Sequence, residues 1–371
     1  MRRLTVIATS LAAAALAAPA AAAPGLELAV QDDAVLLHRH YGDADLALDR
    51  AAAMGARYVR TNVRWSYSMP LAQAERKTRP ARVDWDFSSL ARLLDGAAAR
   101  GLAVQVTLAG PAPAWATGTR KAGVNRPSKY QFARFARAAV RAAGGRVQRW
   151  SIWNEPNWHS QLSPYSKAPA IYRGLFVEGA RAIREELPGA QVLFGELMPG
   201  ANSSKSMALL RFLRGVTCSR ADWSAARRCP RLRADGFALH PYNFARRPKE
   251  ARSPNRDVVE MGSLSRLTRA LDALARRGAL RTPSGARMPL YLTEFGYFTS
   301  GPLRKSPKTQ ARWMAEAWQI ARRNPRVRQL LQYQLIDPWP RSVTWRSAIM
   351  SRDGTPRPAY ETLARLAAAE L

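Results

Sequence analysis

The sequence WSIWNEPN, residues 150–157, is the stretch around which the rest of the chain is arranged. A run of β-forming residues ends there abruptly in an amide, a carboxylate and a proline: Asn154, Glu155 and Pro156. A strand that ends in this way projects its last side chains into a cleft. The pattern therefore predicts a buried strand with Asn154 and Glu155 at its carboxyl end.

A second apolar run, PLYLTEFG at residues 289–296, also stops at a single glutamate, Glu294. Two carboxylates at the carboxyl ends of two strands suggest paired proton transfer and nucleophilic attack. The alternative is that each glutamate merely begins a polar loop. Which interpretation holds depends on whether the fold brings the two strand ends together.

Eight short β-prone runs alternate with longer helical patterns at intervals of roughly 40 residues, which is typical of repeated βα units. The predicted strands are residues 26–31, 58–63, 102–108, 147–153, 191–194, 237–240, 290–293 and 327–334. The predicted helices are residues 44–54, 87–99, 129–143, 168–187, 206–213, 264–277, 308–323 and 358–369.

The chain has 371 residues, of which 47% are hydrophobic, and shows neither a composition break nor a flexible linker. Its length suits either one large barrel or two doubly wound domains. No Gly-x-Gly-x-x-Gly turn follows the first strand, which removes the main support for a dinucleotide-binding domain. The expected fold is therefore a single α/β (β/α)8 TIM barrel, in which the carboxyl ends of all strands meet at one rim.

Residues 1–23 have the three parts of a secretory signal peptide: a basic start, an apolar run and a small-residue segment with cleavage expected between Ala20 and Ala23. The apolar run is too short for a comfortable membrane span. We therefore expect a secreted, soluble protein whose catalytic barrel occupies residues 24–371.

The only two cysteines, Cys218 and Cys229, lie in an Arg-rich segment. Because export permits disulfides, the expected state is a Cys218–Cys229 disulfide. A two-cysteine metal site is the alternative, but no histidine lies close to them in sequence.

The formal net charge is +31, from 58 Lys and Arg against 27 Asp and Glu. Such an excess can mark a polyanionic partner. However, Arg and Ala are abundant along the whole chain, and nucleic-acid-binding motifs are missing from the sequence. Nucleic acid is therefore not expected as a partner, whereas an acidic polysaccharide or an anionic cell envelope stays open.

With these motifs in place, the chain resembles glycoside hydrolase clan A, whose members are retaining (β/α)8 glycosidases; families 5 and 39 are the nearest. The resemblance covers essentially the whole mature chain and rests on WNEPN at residues 153–157 and TEFG at residues 293–296. It implies that Glu155 is the acid/base, that Glu294 is the nucleophile and that Asn154 bonds the substrate 2-hydroxyl.

Other segments extend the resemblance. The pattern YVR at residues 58–60 implies that Arg60 braces the nucleophile, and HPY at residues 240–242 implies that Tyr242 bonds it while His240 lines the cleft. DGTPRPAY at residues 353–360 resembles the segment before the last helix in families 5 and 39. The sugar-stacking tryptophan of the eighth strand has no unambiguous match, and Trp339 is the candidate.

Several further side chains could contact a sugar. An aromatic face suits the apolar side of a pyranose, so Trp115, Trp153 and Trp158 are candidates for stacking, with packing in the core as the alternative for each. Asp32 and Asp33 follow the first strand and are candidates for substrate-hydroxyl ligands. A cation at Arg60 and a phenol at Tyr242 would both favour the ionised form of Glu294.

These observations predict a secreted, cofactor- and metal-independent, monomeric retaining β-glycosidase. Family 5 would suggest β-glucan or β-mannan and family 39 a β-xyloside or another β-linked, even acidic, glycan. The alternatives are a noncatalytic barrel that binds carbohydrate or anionic envelope, and a polyanion-binding scaffold.

Overall fold

Eight parallel strands close into a barrel in the computed structural model, which describes residues 25–226, 228–339 and 345–370. Each strand pairs with its neighbours in chain order, and the first strand pairs with both the second and the eighth. The strands are Glu27–Gln31, Tyr58–Arg64, Ala103–Ala109, Arg149–Ile152, Gln191–Leu197, Gly236–Leu239, Leu290–Phe295 and Val327–Tyr333. The predicted (β/α)8 barrel is confirmed.

One longer helix follows each barrel strand and covers the outside of the sheet. These helices are Ala44–Ala53, Ser88–Ala98, Lys129–Ala143, Ala168–Glu186, Leu209–Thr217, Leu264–Arg276, Pro307–Arg323 and Pro358–Ala368. Because the strands are buried on both faces, they read as nearly continuous apolar runs with a few polar side chains directed inward. No helix among the described residues is long and apolar enough to span a membrane.

The helix Lys129–Ala143 shows why the sequence predicted such elements well. The Ser128 hydroxyl accepts a hydrogen bond from the backbone of Gln131 and caps the start. Phe132 and Phe135 lie on the buried face, and Gly144 ends the helix in a left-handed conformation with φ of 58°. Start signal, apolar face and stop signal agree, so the observed bounds are the predicted ones.

Two predicted elements depart most from their observed bounds. The fifth strand continues past Phe194 to Leu197, because Gly195 is not a strand end but a bulge with φ of 120°. A Cβ at this position would lie 2.3 Å from the carbonyl oxygen of Ala238, so the close approach of the sixth strand requires glycine. The helix predicted at residues 206–213 spans Leu209–Thr217, since Ser206 pairs with Trp158 in a bridge between loops.

The amino end of the barrel is filled by one buried cation. The Arg149 guanidinium lies 3.9 Å from the ring centre of Tyr58 and 4.6 Å from that of Tyr291. It also forms a two-bond ion pair with Glu27 and donates to Gln191. With this end filled, the carboxyl end of the barrel is the one available to a ligand.

The predicted Cys218–Cys229 disulfide is formed and ties the segment after helix Leu209–Thr217 to the entry of the sixth strand. The predicted signal peptide, residues 1–23, lies outside the described residues.

Candidate active site

A cavity of about 600 Å³ lies at the carboxyl end of the barrel, where the sequence placed the two glutamates. Its floor contains Asn154, Glu155 and Glu294. Its walls come from the loops after several strands and include Asp33, His38, His40, Asn62, Arg64, Tyr67, Trp158, Tyr333, Gln334 and Trp345. Fold and cavity therefore coincide with the predicted rim site.

Glu155 is held by an unusual backbone path just past the fourth strand. Trp153 and Glu155 both have positive φ, 63° and 45°, which L-residues rarely adopt. The Glu155 backbone N–H donates to the carbonyl of Glu196 at 2.9 Å, which ties this turn to the fifth strand. Such conformations cost free energy and concentrate at functional sites, where they direct a side chain. Here they direct the Glu155 carboxyl into the cavity.

Glu294 lies on the seventh strand and is buried apart from the face it presents to the cavity. One carboxylate oxygen accepts from Arg60 Nη1 at 2.7 Å, and the other accepts from the Tyr242 hydroxyl at 3.4 Å. Arg60 and Tyr242 thus lie where the resemblance implied. One carboxylate oxygen of Glu155, one of Glu294 and a ring nitrogen of His240 all lie within 4.8 Å of one another.

His240 follows the sixth strand and bridges two carboxylates with its two ring nitrogens. Nδ1 lies 2.9 Å from Glu155 Oε1, and Nε2 lies 2.9 Å from Glu196 Oε2. Burial lowers the pKa of His240, but the nearby charges of Glu294, Glu155 and Glu196 outweigh burial and raise the pKa to about 9. His240 is therefore an imidazolium at neutral pH, with a proton on each nitrogen.

Glu196, which the sequence analysis missed, anchors this network from the fifth strand. Its fully buried carboxylate accepts from Arg60 at 3.0 Å, from His240, and from the hydroxyls of Ser151 and Thr293. Burial raises the pKa of Glu196, but Arg60 and His240 lower it to about 2. Glu196 is thus a permanent anion that fixes both cations beneath the cavity.

Arg60 donates hydrogen bonds to several of the side chains at and beneath the cavity floor. Its buried guanidinium donates to Glu294, to Glu196, to the side-chain oxygen Oδ1 of Asn154 at 2.9 Å, to Thr107 and to Gln31. Burial lowers the pKa of Arg60, but the two glutamates raise it above its ordinary value. Because the Asn154 oxygen is held by Arg60, the Asn154 NH2 group is the part left to donate into the cavity.

The environment of Glu294 corrects one expectation. Arg60 and His240 do lower the pKa of this carboxyl, as expected of adjacent cations. Burial is the larger effect, and together with the charge of Glu155 it leaves the pKa of Glu294 raised. The two cations, His240 and Arg60, therefore limit the increase in the pKa of Glu294 that burial causes.

Glu155, His240 and Glu294 offer three atoms close enough to hold a metal ion. Both ring nitrogens of His240 lie 2.9 Å from carboxylate oxygens, so a metal at this site would have to take the place of the proton on Nδ1. Glu155, His240 and Glu294 are therefore better suited to share a proton than to coordinate a metal ion.

The predicted stacking residues have different positions. Trp158 lines the cavity and is 36% exposed. Trp153 is buried and donates from its indole to the Gln161 carbonyl, and Trp115 packs edge-on against buried Trp65. Trp339 lies outside the cavity lining, beneath the guanidinium of Arg352 at 3.9 Å.

Trp345, which the sequence analysis did not single out, lines the cavity in the segment after the eighth strand. Its ring packs edge-on against Tyr242 at 5.4 Å and against Tyr333 at 5.8 Å. Trp345, and not the expected Trp339, is therefore the tryptophan after the eighth strand that lines the cavity. No local pattern in the sequence distinguishes Trp345 from other loop tryptophans.

Asp32 and Asp33 have mainly structural contacts. Asp32 is buried and accepts from the backbone N–H groups of Leu335 and Ile336. Asp33 lines the cavity, but its oxygens accept from Gln31, Thr61 and Asn62. Both bonds to Asp32 reach the same carboxylate oxygen, and Asp32 also lines the cavity, so the expected role as a ligand for substrate hydroxyls stays a prediction for both residues.

No family model matches the sequence, and no curated protein matches it. Solved structures do share the fold. A family 39 glycoside hydrolase from the gut symbiont Bacteroides cellulosilyticus WH2 superposes with a TM-score of 0.66 at 17% identity, over 93% of this chain and 64% of that one. The present chain therefore spans less than two thirds of that hydrolase.

Two further solved structures share the fold to a similar extent. A monomeric β-xylosidase from Caulobacter crescentus CB15 has a TM-score of 0.59 at 18% identity, over 94% of this chain and 69% of that one. An exo-β-1,4-mannosidase from Opitutaceae bacterium strain TAV5 has a TM-score of 0.60 at 19% identity, over 93% and 60%. The chain thus has the (β/α)8 fold found in family 39 glycoside hydrolases.

Proposed function

We propose that the protein is a retaining β-glycosidase in which Glu155 is the acid/base and Glu294 the nucleophile. The observation that carries the proposal is the separation of the two carboxylates, whose nearest oxygens lie within 4.8 Å at the floor of a cavity. Retaining glycosidases hold their carboxyl groups about 5 to 5.5 Å apart, whereas inverting enzymes leave about 6.5 to 9.5 Å for a water molecule.

The hydrogen bonds of Glu294 and Glu155 suit these residues to different catalytic roles. Glu294 accepts from Arg60 and Tyr242, an arrangement that suits a carboxylate which attacks the anomeric carbon. Glu155 Oε1 faces the Nδ1 proton of His240, so Oε2 is the oxygen available to the leaving group. In the first step Glu294 bonds to the sugar as the protonated Glu155 donates its proton to the leaving oxygen.

The second step reverses these transfers. Glu155, now a carboxylate, removes a proton from water, and the water oxygen displaces Glu294 from the anomeric carbon. The configuration at that carbon is therefore retained after two inversions. His240 keeps a proton next to Glu155 throughout, and the Asn154 NH2 group is placed to bond a substrate hydroxyl.

The proposed substrate is a β-linked poly- or oligosaccharide, and β-xylosidase and β-mannosidase activities are named for proteins with this fold. Trp158 and Trp345 would supply stacking surfaces on the cavity wall. We also propose that the protein acts after export as a monomer. Cleavage between Ala20 and Ala23 in secreted material would support export, and an intact amino terminus there would count against it.

The proposal is tested by a panel of aryl β-glycosides and β-glycans, with proton NMR recording the anomer that is released first. We expect hydrolysis of at least one member with the β-anomer as the initial product. An initial α-anomer would overturn the retaining mechanism. Binding of glycans without hydrolysis of any panel member would favour a noncatalytic carbohydrate-binding barrel.

A further inference from the structure

One cation in the cleft has no role in the chemistry described above. Arg64 is the last residue of the second strand and is exposed, unlike Arg60 four residues earlier. Of the described residues, it is the only arginine or lysine that lines the 600 Å³ cavity. Its side chain forms no ion pair within the described parts of the chain, and its guanidinium lies 5.7 Å from the ring centre of Tyr67.

Arg64 also stands where the cavity continues into a side pocket. A space of about 240 Å³ shares Asn62, Arg64, Asn154 and Gln161 with the main cavity. Its other walls include Gly110 and Ser160, and no described acidic side chain lines it. Asp33, one of the acids of the main cavity, already accepts from Thr61 and Asn62. The side pocket is therefore rich in hydrogen-bond donors, and its one cation, Arg64, has no ion-pair partner among the described residues.

Two imidazoles line the same cavity as Arg64. The rings of His38 and His40 stack at 5.2 Å. Burial lowers the pKa of His38, the charge of Asp33 raises it, and the charges of His40 and Arg64 lower it further, so the pKa lies below its ordinary value. Arg64 is thus the fixed cation of this part of the cleft. A planar guanidinium binds a carboxylate through two parallel hydrogen bonds, and the chain's net charge of +31 would draw an anionic polymer toward it.

We propose that the side pocket at Arg64 is a subsite for an acidic sugar, a uronosyl unit whose carboxylate pairs with the Arg64 guanidinium. The hydroxyl of Ser160 and the amides of Asn154 and Gln161 would bond the hydroxyl groups of the same unit. This inference rests on the proposed glycosidase function, since it places the subsite beside the bond to be cleaved. It makes the substrate a β-linked glycan that contains uronic acid.

The test compares matched tetrasaccharides in which only the charge differs: β-1,4- and β-1,3-linked glucose tetramers, each neutral or oxidised to the carboxylate at C6. Binding is measured by calorimetry on a Glu294→Gln background, which prevents turnover. We expect the acidic member of at least one pair to bind more tightly, and the preference to weaken as salt rises. Arg64→Gln should reduce the acid-to-neutral affinity ratio on the order of 10-fold, and Arg64→Lys should reduce it less.

Arg312→Gln is the matched control, because Arg312 is an exposed arginine on the outer helix Pro307–Arg323. It should leave the affinity ratio unchanged. If Arg312→Gln and Arg64→Gln lowered the affinity ratio equally, the preference would come from the overall charge of the protein, and the subsite would be overturned. The subsite would also be overturned if no acidic tetramer bound more tightly than its neutral partner. A tetramer sulfated at C6 that binds as tightly as the carboxylate would overturn the assignment to uronic acid.

The outcomes separate this inference from the proposed activity. If acidic tetramers bind through Arg64 but the unaltered protein hydrolyses no glycan, the glycosidase proposal fails and the binding site stands. If the protein hydrolyses neutral glycans and Arg64→Gln leaves the acid-to-neutral ratio as it was, the subsite fails and the glycosidase proposal stands.

Discussion

Glu294 and Glu155 have different partners, and their alanine variants should fail in different ways. Glu294→Ala removes the atom that bonds to the sugar, so we expect nearly complete loss of activity on every substrate. Azide or formate should restore turnover by entering the space left by the side chain. With azide, the product should be a glycosyl azide of inverted configuration.

Glu155→Ala should retain glycosylation of substrates with good leaving groups, such as dinitrophenyl glycosides, because these need no proton. Poor leaving groups should lose roughly 10²–10⁴-fold, the usual contribution of general acid catalysis. Azide should give a glycosyl azide of retained configuration. Exchange of the two patterns would reverse the assigned roles, and full activity in both variants would end the hydrolase proposal.

His240 should make the free energy of unfolding depend on pH. Its pKa is about 9 in the folded protein against an ordinary value of 6.5, so the folded state binds the proton more tightly. The resulting stability is fully present below pH 6.5 and is lost as pH rises through about 9. Chemical denaturation between pH 6 and pH 10 should therefore show stability falling across this window.

The matched variant is His240→Gln, which can still donate a hydrogen bond but has no proton to lose. It should be less stable than the unaltered protein at pH 6 and should show a smaller decline in unfolding free energy toward pH 10. The same slope in both proteins would show that His240 is not held as an imidazolium by Glu155 and Glu196.

At the scale of elements, the bulge at Gly195 shows what the sequence could not reveal. The predicted fifth strand ended at Phe194, which left Glu196 outside it. The pairing of the fifth and sixth strands continues past Gly195, because the glycine lets Ala238 approach closely. Glu196 was missed for this reason, although a carboxylate at a strand end was the signal that identified Glu155 and Glu294.

The disulfide gives a prediction for the loop before the sixth strand. Cys218→Ser combined with Cys229→Ser should lower the free energy of unfolding by about 2 to 3 kcal/mol, because an 11-residue separation leaves a loop of modest size unconstrained in the unfolded chain. Neither cysteine lines the cavity, so glycosidase activity at a temperature below unfolding should be unchanged.

Denaturant titration of the oxidised protein and of the double variant measures this difference, and thiol titration of the unfolded, unreduced protein should find no free thiol. Two reactive thiols in oxidised material would contradict the disulfide. A large loss of activity in the folded double variant would show that this loop supports the cavity.

At the scale of the whole molecule, alternating strand and helix patterns were sufficient to predict the barrel, since each unit carries its own start, stop and apolar face. Closure of the barrel then brings Glu155 and Glu294 together, although they are 139 positions apart in the sequence. No local sequence pattern indicates that these two residues meet. Trp345 was not predictable in this way. It reaches the cavity from an irregular segment, where position depends on contacts with Tyr242 and Tyr333.

In the proposed mechanism Glu294 becomes covalently bonded to the sugar, and a trapped intermediate would show this bond. The 2-deoxy-2-fluoro derivative of an aryl β-glycoside that the protein cleaves should inactivate the enzyme by trapping the intermediate. Mass spectrometry of the intact protein should then show one added sugar, and peptide mapping should place it on Glu294. A sugar on Glu155, or unimpaired activity with no adduct at all, would contradict the assignment of Glu294 as the nucleophile.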